Sequence, residues 1–169
     1  MKAIEMIMKG FKEITEKGNS AEVRKPYLKD FALASNYAGI AFGNAGCGAV
    51  HALSYSIGGA FHVPHGEANY QFFTEVFKMY MRKEPGGKIA KANAILAKAL
   101  GCDVDVCYDK LEEMLNHLIQ KKALREYGMV EAQIDEFTEM TVANQQRLLA
   151  NNYVFLSNDE IREIFANLY

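Results

Sequence analysis

No Asp, Glu, Lys or Arg occurs between Phe31 and Gly66, and this charge-free stretch constrains the fold more than any other feature. An apolar window of this length invites comparison with a membrane-spanning helix. However, it contains Asn, Ser and His side chains, and the Gly-Asn-Ala-Gly-Cys-Gly run at residues 43–48 would interrupt a single long helix. Because an unpaired charge is costly to bury, a charge-free segment suits a protein core. The stretch therefore predicts two consecutive helices buried inside a soluble protein.

Helical periodicity dominates the rest of the chain, and no segment shows the strict alternation of a β-strand. Beyond a first helix that ends at Gly18-Asn19-Ser20, helices are predicted over 25–42, 48–57, 65–82, 89–100, about 111–119 and 130–149. Gly58-Gly59 is predicted to end the third helix, and a Ser157-x-x-Glu160 capping box opens the last one. Gly39 and Gly43 share a helix face and predict tight helix packing. We expect an all-α bundle of about seven or eight helices.

Length and composition exclude several classes of protein. A length of 169 residues suits one domain, residues 1–169, and a hydrophobic content of 50% excludes a disordered chain. The formal net charge of −2 offers no basic surface, so we expect no nucleic-acid and no membrane partner. The odd count of three cysteines is typical of reduced thiols, and the N-terminus lacks the apolar run of a signal peptide. These features predict a cytoplasmic protein.

Three of the four histidines, His51, His62 and His65, lie close together in the sequence. Neutral imidazole is the commonest metal ligand, so the cluster is a candidate metal site. Two pairings are open: His62 with His65, which Pro64 separates, or His51 with His65 across a glycine-containing loop. Hydrogen-bonded core histidines are the alternative interpretation. His117 is predicted to be an ordinary helix histidine and Cys47 a small buried filler.

The segment Phe42-Gly-Asn-Ala-Gly-Cys-Gly-Ala-Val-His51-Ala-Leu, followed by Gly58 and Pro64-His65-Gly-Glu-Ala-Asn69, resembles the iron-containing (group III) alcohol dehydrogenases. Within that family, His51-Ala-Leu-Ser-Tyr55 and His62-Val-Pro-His65-Gly-Glu-Ala-Asn-Tyr70 are similar to the 4-hydroxybutyrate dehydrogenase branch. The resemblance is specific over these residues and weaker elsewhere. It implies a fold like that family's helical, metal-binding C-terminal domain, which is dehydroquinate synthase-like.

The resemblance also implies two domains with separate roles. Family members have an N-terminal domain that binds NAD(P) and a C-terminal domain that holds a metal through one Asp and three His. Residues 1–169 resemble the second domain alone, and we expect the nucleotide-binding domain to be absent. His51 and His65 match the last two ligands, whereas the Asp and the first His would precede Met1. The implied cofactors are a divalent metal, Fe²⁺ or Zn²⁺, and NAD in the full-length enzyme.

The implied function is the metal-site domain of an NAD-dependent 4-hydroxybutyrate dehydrogenase, which interconverts 4-hydroxybutyrate and succinate semialdehyde. Another alcohol or diol dehydrogenase branch and a non-catalytic helical fragment remain alternatives. We expect the isolated chain to be inactive, to need its nucleotide-binding partner domain, and to form homo-oligomers through uncovered apolar surface.

A proton relay is the remaining implied role. Many members carry a relay histidine four residues after the position of His51, where this chain has Tyr55. Tyr55 and His62 are therefore the candidates for proton transfer. A buried aromatic residue with one hydrogen bond is the alternative interpretation of Tyr55.

Overall fold

A computed structural model describes all residues, 1–169. The all-α prediction is confirmed, because the chain contains only α-helices and short 3-10 helices. The α-helices are α1 (Lys2–Lys17), α2 (Ala21–Arg24), α3 (Leu28–Ala45), α4 (Ala49–Phe61), α5 (His65–Lys83), α6 (Ala90–Leu100), α7 (Cys107–Asn116), α8 (Gln133–Asn144), α9 (Gln146–Ala150) and α10 (Asn158–Leu168). Short 3-10 helices occupy Lys25–Tyr27, Val104–Val106 and Leu124–Tyr127.

The chain forms two compact units. The first comprises Met1–Ala45 and Pro85–Gln120, and the second comprises Gly46–Glu84 and Lys121–Tyr169. The expectation of one domain over 1–169 stays a prediction. No helix is long and apolar enough to span a bilayer, and the cytoplasmic location likewise stays a prediction.

In the first unit, α1 packs against α3, α6 and α7. Its inward face buries Met8 and Ile14, as the spacing of apolar residues along the helix requires. The ring of Phe31 lies directly over Gly10, where a Cβ atom would meet that ring at 2.5 Å. Gly10 therefore sets how closely α1 and α3 can approach.

In the second unit, α5 packs against α4 and α10, and α8 packs against α4 and α10. A chain of aromatic contacts forms its core: the centroids of Phe72 and Phe165 lie 5.3 Å apart, and those of Phe61 and Phe137 lie 6.0 Å apart. The predicted capping box is confirmed, because the Ser157 hydroxyl accepts from the Glu160 N–H and the Glu160 carboxylate accepts from the Ser157 N–H. This box fixes the start of α10 over the core.

The prediction that both helices of the charge-free stretch are buried is correct for α4 and wrong for α3. Helix α4 buries Ala52, Leu53 and Ile57, whereas Ala34 is the one buried residue of α3. A helix without charged side chains can be buried, but it is buried only where another part of the fold packs against it.

Several local predictions also need correction. Helix α4 continues through Gly58-Gly59 to Phe61, because packing of Phe61 on Phe137 compensates for the helix penalty of glycine, about 1 kcal/mol per residue. The predicted helix over 130–149 is divided into α8 and α9 at Gln145.

The tight packing predicted for Gly39 and Gly43 is absent. A Cβ atom on Gly43 would meet nothing within 4 Å, and one on Gly39 would meet only the ring of Phe42, at 3.9 Å in the same helix. Cys47 is half-buried rather than a buried filler. His117 is exposed, but it is the C-cap of α7 rather than a residue within the helix, and its Nδ1 lies 2.8 Å from the Glu113 carbonyl oxygen.

Candidate metal centre

The candidate site lies where α4 and α5 pack together in the second unit. His51 lies in the first turn of α4, and His65 is the first residue of α5. Pro64 precedes His65 at the N-cap with extended backbone geometry, which suits proline at a helix start. The buried side chain of Val63 anchors the short connection. As a result the centroids of the two imidazole rings lie 5.3 Å apart.

The start of α4 is held in place by an asparagine pair. The Asn152 carboxamide oxygen accepts from the Ala49 N–H at 3.0 Å, which satisfies one of the free N–H groups of the first helical turn. The Asn151 amide donates to the Cys47 carbonyl at 3.0 Å. A Cβ atom on Gly48 would meet the Asn152 side chain at 2.8 Å, so glycine is needed for this approach. These contacts fix the turn of α4 that carries His51.

The electrostatic setting favours a neutral imidazole at His51. Burial lowers the pKa of His51 below its ordinary value, and the neighbouring His65 lowers that pKa further. A neutral ring keeps a lone pair available for a metal ion, whereas an imidazolium cannot ligate one.

A hydrogen-bond network joins the two histidine-bearing helices below the rings. The Asn69 carboxamide nitrogen lies 3.0 Å from His65 Nε2, and the buried Ser54 hydroxyl donates to Asn69 Oδ1 at 2.8 Å. Ser54 Oγ also lies 3.0 Å from the His51 carbonyl oxygen. Sequence reasoning did not assign a role to Ser54 or Asn69. Their helical spacing, three residues after His51 and four after His65, was a signal that could have identified them.

Tyr55 lies beside the histidine pair. Its ring stacks on His65 with a centroid separation of 6.2 Å and an interplanar angle of 24°. The side chain is 45% exposed, so the interpretation of Tyr55 as a buried aromatic residue is wrong. Tyr55 also lines a cleft of about 390 Å³ between α4 and α8, together with Gln133, Glu136 and Met140. The phenol therefore lies between the histidine pair and a cleft large enough for a small molecule.

His62 lies outside this cluster. It follows the last residue of α4 in a left-handed conformation, with φ 54°, and it is exposed. The ring contacts of His65 are with His51 and Tyr55. The structure thus brings together the pairing of His51 with His65 and leaves His62 apart from it.

The two histidines of this chain could supply part of the ligand set of a metal ion. Two imidazoles on packed helices are suitable ligands for Fe²⁺ or Zn²⁺. No group of three or more His, Cys, Asp or Glu side chains gathers in a metal-binding arrangement. A metal held by His51 and His65 would therefore need further ligands from solvent or from another polypeptide segment.

Comparison with known proteins assigns this chain to a family. The profile described as "Fe-containing alcohol dehydrogenase family, C-terminal" matches residues 1–169. The chain belongs to the iron-containing alcohol dehydrogenase family. It is 53% identical over 169 residues to the 4-hydroxybutyrate dehydrogenase of Clostridium kluyveri, and the alignment covers 100% of this chain and 45% of that enzyme. It is 32% identical over 172 residues to long-chain-alcohol dehydrogenase 1 of Geobacillus thermodenitrificans, and the alignment covers 96% of this chain and 41% of that enzyme.

Solved structures show the same fold. A halo-thermophilic archaeal alcohol dehydrogenase from a Red Sea brine pool superposes with a TM-score of 0.80 at 24% identity, covering 99% of this chain and 43% of that one. A 1,3-propanediol oxidoreductase superposes with a TM-score of 0.72 at 23% identity, covering 99% of this chain and 44% of that one. The chain thus spans less than half the length of the relatives it matches in this family.

Proposed function

We propose that this chain supplies the C-terminal, metal-site part of an NAD-dependent 4-hydroxybutyrate dehydrogenase. The observation that carries the proposal is the 53% identity to the Clostridium kluyveri enzyme, which extends over every residue of this chain. The adjacent rings of His51 and His65 support it, since they present two imidazole ligands side by side. The reaction moves a hydride from the alcohol carbon of 4-hydroxybutyrate to NAD⁺ and releases the hydroxyl proton, giving succinate semialdehyde.

Within this proposal, His51 and His65 hold a divalent metal, Fe²⁺ or Zn²⁺. When bound, such a metal polarises the substrate hydroxyl and lowers its pKa. Asn69 and Ser54 hold the His65 ring in position through their hydrogen bonds. The remaining ligands and the nucleotide site belong to the part of the longer enzyme that this chain does not match.

Tyr55 is the proposed route for the substrate proton. Its phenol stacks on His65 and is exposed toward the cleft between α4 and α8, so it can pass a proton from the site to solvent. His62 is the second candidate for this role. Because it lies outside the histidine cluster, it would have to act through water or through a movement of the loop at residues 62–64.

The test uses a hybrid enzyme, in which this chain follows the unmatched N-terminal part of the Clostridium kluyveri enzyme. After reconstitution with Fe²⁺ or Zn²⁺, we expect NADH formation from 4-hydroxybutyrate at a higher kcat/KM than from 1-butanol. His65→Ala should reduce the rate to background, and His117→Ala should leave it unchanged. A preference for 1-butanol or a diol would place the chain in another branch of the family.

A further inference from the structure

Helix α3 presents an exposed apolar face that the first unit leaves without a partner. Leu33, Tyr37 and Ile40 recur at the i, i+4, i+7 spacing of one helix face, and 44%, 43% and 62% of their respective surfaces are exposed. No charged residue interrupts the helix after Asp30. Soluble proteins seldom leave so continuous an apolar surface in water.

A groove continues this face. It has a volume of about 410 Å³ and lies between α1 and α3, where Leu33 and Tyr37 form part of one wall and Met6 and Lys9 form part of the other. Close packing at Gly10 and Phe31 holds the two helices together below it. The surface is thus a shaped site on two packed helices rather than scattered single residues. We call Leu33, Tyr37 and Ile40 the α3 face.

We propose that the α3 face is the docking surface for the N-terminal part of the longer polypeptide; this inference rests on the proposed function. The two relatives match 100% and 96% of this chain, yet it accounts for only 45% of the Clostridium kluyveri enzyme and 41% of the Geobacillus thermodenitrificans enzyme. A segment of the same polypeptide binds at an effective concentration that a separate molecule rarely reaches.

The chemistry of the α3 face defines the surface that covers it. Because the face carries no charge, a charged group placed against it would be buried without a partner, at considerable cost. The docking segment therefore presents apolar side chains toward Tyr37 and Ile40. Burial there adds stability in proportion to the apolar area removed from water, roughly 25 cal/mol per Å².

The test compares hydroxyl-radical footprinting of the isolated chain and of the hybrid enzyme, each at a concentration where sedimentation shows a monomer. We expect Leu33, Tyr37 and Ile40 to be modified readily in the isolated chain and at least fivefold more slowly in the hybrid. Ile119, which is as exposed as Ile40 at 62%, is the internal reference and should react equally in both. Equal modification of the α3 face in both proteins would overturn the proposal, as would protection already present in the isolated monomer.

A pair of variants provides a second measurement. Ile40→Glu in the hybrid should lower the melting temperature and restore radical modification of Tyr37, whereas Ile119→Glu should do neither. An Ile40→Glu hybrid as stable as its Ile119→Glu counterpart would contradict docking at this face.

Protection and activity are separate readouts: a hybrid that protects the α3 face but does not oxidise 4-hydroxybutyrate would uphold docking and reject the proposed function. In the isolated chain, Ile40→Glu should reduce binding of a fluorescent apolar dye without changing helical content, and unchanged dye binding would also count against the proposal.

Discussion

At the scale of single residues, the account rests on the juxtaposition of His51 and His65. Their positions in the sequence made them a candidate pair, and the 5.3 Å between their ring centroids makes joint ligation of one metal feasible. The supporting roles of Ser54 and Asn69 could not be assigned in advance, because they depend on how α4 crosses α5. Such supporting hydrogen bonds hold a ligand ring in a fixed orientation.

Metal binding is the first prediction at this scale. The isolated chain should bind Zn²⁺ or Co²⁺ weakly, because two imidazoles leave the remaining coordination positions to water. His51→Ala or His65→Ala should remove the calorimetric signal, and His117→Ala, at the exposed C-cap of α7, should retain it. Equal binding by the wild type and the double His51→Ala, His65→Ala variant would show that the ligands lie elsewhere.

The second prediction separates support of the ligands from general packing. Ser54 and Ser56 are both buried in α4, but Ser56 donates only to the Leu53 carbonyl, whereas Ser54 reaches Asn69. Loss of a supporting hydrogen bond typically lowers metal affinity about 10- to 100-fold, so we expect Ser54→Ala to weaken Zn²⁺ binding at least about tenfold. Ser56→Ala should leave the affinity unchanged. Calorimetric titrations of both variants make the comparison, and equal affinities would argue against a role for Asn69.

The third prediction concerns the pH dependence of stability without metal. Burial and His65 lower the pKa of His51 below 6.5, so the unfolded chain binds more protons than the folded chain in the window between the two pKa values. The free energy of unfolding should therefore rise with pH through that window and gain nothing more from His51 above it. Urea titrations with a chelator should show this component in the wild type and not in His51→Gln. Parallel pH profiles would contradict it.

At the scale of secondary structure, sequence periodicity predicted the helices well and their surroundings less well. The capping box at Ser157 was recognisable because it depends on a local pattern. The exposure of α3 could not be recognised from the sequence, since the absence of charge is compatible both with a core helix and with a helix that packs against a further segment. The continuation of α4 through two glycines likewise depends on a tertiary contact, that of Phe61 with Phe137.

Two glycines in helices should respond oppositely to the same substitution, which is the fourth prediction. At Gly10, a Cβ atom would meet the Phe31 ring at 2.5 Å, so Gly10→Ala should destabilise the chain by about 1–3 kcal/mol through overpacking. At Gly43, a Cβ atom would meet nothing within 4 Å, so Gly43→Ala should stabilise it by about 0.5–1 kcal/mol through helix propensity. Thermal unfolding measures both, and a stabilising effect of Gly10→Ala would refute the packing described for α1 and α3.

At the scale of the whole molecule, the chain carries a recognisable share of an iron-containing alcohol dehydrogenase. The family could be inferred from a short histidine-containing motif, since chemistry fixes residue types most strictly there. Further ligands of the proposed metal site were beyond prediction from this sequence, because the two relatives are more than twice as long as this chain. The uncovered α3 face and the two-histidine site are consistent with one another, since each calls for a further segment of polypeptide.

The fifth prediction concerns activity. Hydride transfer requires a nicotinamide held against the substrate carbon, and losing the positioning of two reactants can remove about 7–11 kcal/mol of barrier lowering. This chain contains no strand and hence no strand-based dinucleotide loop. The isolated chain should therefore show no NAD-dependent oxidation of 4-hydroxybutyrate, whatever metal is added.

The most direct test of the central claim is NADH formation measured side by side for the isolated chain and the hybrid enzyme, after identical reconstitution with Fe²⁺ or Zn²⁺. The account predicts turnover of 4-hydroxybutyrate by the hybrid, its loss in His65→Ala, and none by the isolated chain. Turnover by the isolated chain would contradict the account, because it would mean that these helices hold the cofactor themselves. A properly folded, metal-loaded hybrid with no activity toward any alcohol would contradict it equally.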